Sequence, residues 1–142
     1  MQVTRELDVS KQELYAYIYK MLHEDVKEIS EKDTSIGVGF SYQKQLHSRM
    51  GKPLDVTTTI QALELGEYAI TITSIQGTNL LRYTYSEIDD TKIKVVYEEL
   101  FEGINTSGSI NHSILSFFTR RANKKRMHNV LQQLETIIIQ ER

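Results

Sequence analysis

The chain has 142 residues, no cysteine and a formal net charge of −2. It is sized for one domain over residues 1–142, burying roughly 68–70% of its unfolded surface without a disulfide or metal staple. The missing cysteine excludes disulfides and thiolate chemistry, and the small net charge gives no overall attraction to nucleic acid. Met1-Gln2-Val3-Thr4-Arg5-Glu6-Leu7 carries charge among its apolar residues, unlike a signal peptide, and no window approaches the ~20 apolar residues of a membrane span. A cytoplasmic protein is expected.

Val3, Arg5 and Leu7 alternate with Thr4 and Glu6, which predicts a half-buried strand. Ser10 and Glu13 have the spacing of a capping box. The helix they open carries Leu14, Ile18, Met21, Leu22, Val26 and Ile29 at three-and-four spacing, flanked by Tyr15 and Tyr19, and decays near Ser30. After a loop at Asp33-Thr34-Ser35, Val38, Phe40 and Tyr42 share one strand face, and Gly51-Lys52-Pro53 ends that element. Val56, Thr58, Ile60 and Ala62 line the next strand. Gly66-Glu67 turns into Tyr68, Ile70 and Ile72, and Gln76-Gly77 turns into Leu81, Tyr83 and Tyr85. Asp89-Asp90 turns into Ile93, Val95, Tyr97, Glu99 and Phe101. Turns this short demand antiparallel neighbours.

From about Asn111 to Gln140 the pattern is helical, with two apolar stripes on nearly opposite faces. Ile110, Ile114, Phe117 and Phe118 form the first; Met127, Val130, Leu131, Leu134 and Ile138 form the second. The change of phase predicts a kink, break or lateral displacement between Thr119 and Arg126.

A strand, a helix pair, about five antiparallel strands and a long final helix make an α+β domain. The final helix is the one element long enough to cover the concave face of a curved sheet. This order resembles the helix-grip of the START-like (SRPBCC) superfamily, which includes pollen-allergen-like proteins and polyketide cyclases. Gly77-Thr78-Asn79, Asp89-Asp90 and the run from Ile93 through Glu99 to Phe101-Glu102-Gly103 are similar to an uncharacterised bacterial branch of it. Ser116-Phe117-Phe118 and the basic stretch from Arg120 to Arg126 resemble the same branch. The resemblance implies a cavity between sheet and final helix, often used for apolar ligands; it implies no catalytic residue.

The candidate ligand-binding residues are Tyr42, Tyr83, Tyr85, Tyr97, Glu99, Phe117, Phe118 and Arg121. The tyrosines either line a pocket or are ordinary core, each hydroxyl bonded to backbone. Glu99 has the parity of Ile93, Val95 and Tyr97, so alternation turns a carboxylate inward, where lack of a partner would cost several kcal/mol. Arg121, in phase with Ile114, Phe117 and Phe118, is the expected partner; otherwise Glu99 is a solvated residue at the rim. No pair among His23, His47, His112 and His128 has metal-ligand spacing, and no phosphate loop or nucleophile elbow occurs, so neither metal nor cofactor is expected. Three functions follow: a non-enzymatic module binding a small apolar molecule, as monomer or homodimer; an interaction module using Arg120 to Arg126 on an anionic partner, RNA or protein; and a cyclase- or hydrolase-like enzyme using Glu99. The charge balance argues against nucleic acid.

Overall fold

A computed structural model describes residues 1–29, 36–47, 53–75, 77–103 and 109–142, excepting the side chains of 28–29, 46–47, 103 and 109–122. Strand β1 (Gln2–Leu7) leads into helix α1 (Lys11–Ile29). The capping box opens that helix: the Glu13 N–H donates to the Ser10 hydroxyl (3.1 Å), and the Ser10 N–H donates to the Glu13 carboxylate (3.0 Å). Strands β2 (Ser41–His47), β3 (Pro53–Glu64), β4 (Glu67–Ser74), β5 (Gly77–Asp89) and β6 (Lys92–Gly103) follow, then helix α2 (Ser109–Gln140).

The six strands form one antiparallel sheet in the order β1-β6-β5-β4-β3-β2. Helix α1 therefore carries the chain from one sheet edge to the other, after which the strands pair as successive hairpins. Alternation divides the sheet into an outer face, with Thr57, Thr59, Thr71 and Thr73 paired in register across β3 and β4, and an inner apolar face. On the inner face Val3, Leu7, Ile60, Tyr68, Ile70, Tyr85, Ile93, Val95 and Tyr97 are buried. Leu14, Ile18, Leu22 and Val26 of α1 and Met127, Leu131 and Ile138 of α2 complete the same cluster, so both helices cover one face of the sheet. The second apolar stripe read from the sequence thus packs on the sheet, while the side chains of the first lie outside the described residues. Its far end is fastened to the β1–α1 junction, where the Asp8 N–H donates to Glu135 (2.6 Å) and the Arg142 guanidinium to the Asp8 carbonyl (3.1 Å) and Glu13 (2.8 Å).

Three expectations change. First, of the kink, break or displacement expected between Thr119 and Arg126, the break does not occur: α2 is one continuous helix there. A shift of stripe requires different neighbours along a helix, not an interruption of its backbone. Second, Val38 and Phe40 precede β2. The Phe40 N–H donates to the Gly37 carbonyl (3.1 Å), and Gly39 has φ +89°. This is a turn with glycine at its third position, where a positive φ is needed, and Val38 at its second, 69% exposed. Third, one helix, α1, follows β1 among the described residues, where a pair was expected. The loop at Asp33-Thr34-Ser35 and the stretch Gly51-Lys52 lie outside the described residues.

Candidate functional site

The register of β4, β5 and β6 sets Tyr68 opposite Tyr83 and Tyr83 opposite Tyr97. Three tyrosines therefore stand side by side across the inner face. The Tyr83 and Tyr97 rings stack with centroids 4.4 Å apart and planes 9° from parallel; Tyr68 and Tyr83 lie 5.8 Å apart at 28°. Aromatic neighbours on one sheet face strengthen cross-strand pairing, by roughly 0.2–1 kcal/mol a pair.

Two residues beyond Tyr97, β6 turns Glu99 to the same face, and both carboxylate oxygens are engaged. Oε2 accepts from the Tyr97 hydroxyl (2.5 Å) and Oε1 from Nη2 of Arg126 (2.5 Å). The Glu99 side chain is 21% exposed and that of Arg126 52%, so this is a rim ion pair with its acid half drawn inward. A cation paired with it is Arg126, one residue before buried Met127; the side chain of Arg121 lies outside the described residues. The Glu99 hydrogen bond raises the Arg126 pKa, and burial raises that of Tyr97, helped by Tyr83 and Glu99. Burial also raises the Tyr83 pKa, the Tyr97 hydroxyl beside it partly offsetting the rise. A hydroxyl has one proton to give. Tyr97 gives its proton to Glu99.

The other predicted tyrosines sit elsewhere. Tyr85 is buried and its hydroxyl donates to the Glu64 carbonyl (3.5 Å), the ordinary core arrangement. Tyr42 lies towards the far edge. Its hydroxyl meets Thr58 and Asp25, and Asp25 also pairs with Lys44 (3.3 Å); burial first, then the Asp25 charge, raises the Tyr42 pKa. Phe117 and Phe118 have side chains outside the described residues.

A cavity of about 190 Å³ opens between the sheet and both helices. Ile18 and Met21 wall it from α1, Val130 and Leu134 from α2, and Tyr68 and Tyr83 from the sheet; Tyr17 and Gln133 add polar groups. Of the sequence-predicted residues, Tyr83 borders this cavity, with Tyr97 stacked on it and Glu99 hydrogen-bonded to Tyr97. Tyr68, absent from that set, is buried at 4% exposure and borders the cavity directly. Its signal was present in the sequence, since its parity with Ile70 and Ile72 puts it on the inner face. Met21 had none beyond its place in the α1 stripe, and Tyr17 none beyond its place beside it. A second, more open cleft of about 330 Å³ between α1 and the end of α2 is bordered by paired charges, Glu13 with Arg142 and Lys20 with Glu141. Among the described residues no group of three His, Asp or Glu is placed to hold a metal ion, and no helix is long and apolar enough to cross a membrane.

An antiparallel sheet gripping a long C-terminal helix, with a cavity between them, defines the START-like helix-grip class. The chain belongs to the DUF3284 family, described as a domain of unknown function, whose model matches residues 1–120. Comparison with curated proteins finds no match. Among solved structures, the chain is similar to TTHA0849 from Thermus thermophilus (TM-score 0.65, 11% identity, 99% of this chain and 97% of that one). It is also similar to Ara h 8.0201 (TM-score 0.61, 13% identity, 99% and 97%). A third is the Zhui aromatase/cyclase from Streptomyces sp. R1128 (TM-score 0.56, 12% identity, 95% and 92%). At these identities the likeness is one of fold.

Proposed function

We propose that this domain binds a small, largely apolar molecule in the cavity between the sheet and its two helices, without catalysing a reaction on it. The observation that carries this reading is the cavity wall: apolar side chains from three elements with a few polar groups among them, the usual make-up of a small-molecule site. Binding is favoured over catalysis by the state of Glu99. Both its oxygens accept from protein donors, and it is not among the residues that border the cavity. The basic stretch is a weaker candidate for an anionic partner, because Arg126 is committed to Glu99. The test is a thermal-shift screen of purified protein against small aromatics, terpenes and fatty acids. A ligand at 100 times its Kd adds about 2.7 kcal/mol, a shift of several degrees for a chain of this size. A panel that leaves the melting temperature unmoved throughout overturns the proposal.

A further inference from the structure

The inner cavity and the outer charged cleft are neighbours along one furrow. On α1 the cleft takes residues from 13 to 20 and the cavity residues from 17 to 21. On α2 and the two residues after it, the cleft takes residues from 138 to 142 and the cavity residues from 130 to 137. Going forward along α1 means going back along α2, so the helices run antiparallel with both spaces between them.

Glu13, Tyr17 and Met21 stand four residues apart and follow one another along one face of α1, at intervals of about 6 Å. Glu13 borders the cleft alone, Met21 the cavity alone, and Tyr17 both. Tyr17 is half-buried and packs against the core, next to buried Ile18. Its ring therefore stands where the two spaces meet, and the chemistry of the walls changes across it. On the cleft side Glu13 pairs with Arg142 (2.8 Å) and Lys20 with Glu141 (3.3 Å). On the cavity side the walls are Ile18, Val130 and Leu134.

Size gives the partition a consequence. An apolar cavity of about 150 Å³ accepts benzene, so this one, at about 190 Å³, has room for one ring with a small substituent. A further space of about 330 Å³ lies beyond Tyr17. Resting on the binding function proposed above, we propose that Tyr17 sets the length of ligand the site accepts. Its ring stops a bound molecule at about one ring's length, and without that ring the cavity and the cleft join into one longer site.

Benzyl alcohol and 4-biphenylmethanol, which differ by one ring in line, test this by NMR titration of the whole chain. In the wild type the second ring finds no room, so 4-biphenylmethanol should bind no more than about twofold tighter than benzyl alcohol. In Tyr17→Ala the second ring is buried, and the two-ring probe should bind at least about tenfold tighter than the one-ring probe. Tyr17→Phe keeps the ring and should behave as the wild type. Met21→Ala enlarges the cavity without opening it to the cleft, so it should not show the gain. An equal gain in Met21→Ala would reduce the effect to general loosening and overturn the inference. So would a wild type that already prefers the two-ring probe tenfold, or a folded Tyr17→Ala that does not. Each of these leaves cavity binding standing as long as some molecule of the wider screen binds. If neither probe binds either protein and the wider screen also fails, both proposals fall. Should Tyr17→Ala not fold, Tyr17→Leu, equally without a ring, takes its place.

Discussion

At Glu99 strand alternation turns a carboxylate inward, and the surrounding residues supply one donor for each oxygen. The sequence points to Arg121 because it follows the first apolar stripe of α2, whose side chains lie outside the described residues; the second stripe packs on the sheet, and Arg126 lies one turn before Val130 in that phase. Glu13 shows the same economy at the opposite end of the molecule. Its carboxylate is held down to about 2 from 4.5, first by the Arg142 guanidinium and then by the Ser10 N–H. A carboxylate whose folded pKa is depressed contributes stability that is complete above 4.5 and is lost as pH falls from there through about 2. Glu13→Gln retains a capping-box acceptor but not the charge facing Arg142. Urea denaturation across this range should therefore show a loss of stability in the wild type that the variant lacks, and the gap between them should shrink in high salt because the pair is partly exposed. Parallel pH profiles for the two proteins would remove Glu13 from the account.

Between residues and the fold stand the hairpins. The β3–β4 turn depends on Gly66, at φ +112°, whose carbonyl accepts from the Tyr85 N–H (2.8 Å). A Cβ there would meet the Tyr85 carbonyl oxygen at 3.4 Å and Cε of Lys11 at 3.3 Å. Lysine can swing aside, but the strand carbonyl cannot. Gly66→Ala is expected to cost about 1–2 kcal/mol, mostly for the left-handed backbone. Gly39→Ala, with open space around it, should cost no more than that; equilibrium unfolding of the two variants measures the difference. The hairpins were legible in the sequence because alternation and turn residues repeat the same message along β3 to β6. The Gly37–Phe40 turn was not, because Val38 and Phe40 keep strand parity across a bend that only the glycine φ reveals. Parity likewise found the inner face of β6, yet it cannot tell a wall from a lining. Tyr85 and Tyr83 are two residues apart on one strand face, and one ends on a backbone carbonyl, the other at the cavity.

For the molecule as a whole, the cavity exists because two helices and a sheet meet without filling the space they enclose. Which side chains fall short of one another depends on how α1 and α2 are seated, and no local pattern records that. The covering helix and the apolar face, Tyr68 included, could therefore be read from periodicity, whereas which of those residues border the cavity could not. Packing normally closes such voids, and an unfilled one forfeits dispersion contacts along its whole lining. Val130 is half-buried on the cavity wall, so Val130→Phe directs a ring into the space. If the void is kept for a ligand, filling it should raise the stability of the unliganded protein by about 0.5–1 kcal/mol while removing the thermal shift given by any ligand found in the screen. Chemical denaturation measures the first and the thermal-shift assay the second. Binding that persists in a folded Val130→Phe protein would place the ligand elsewhere and leave this cavity as a packing defect.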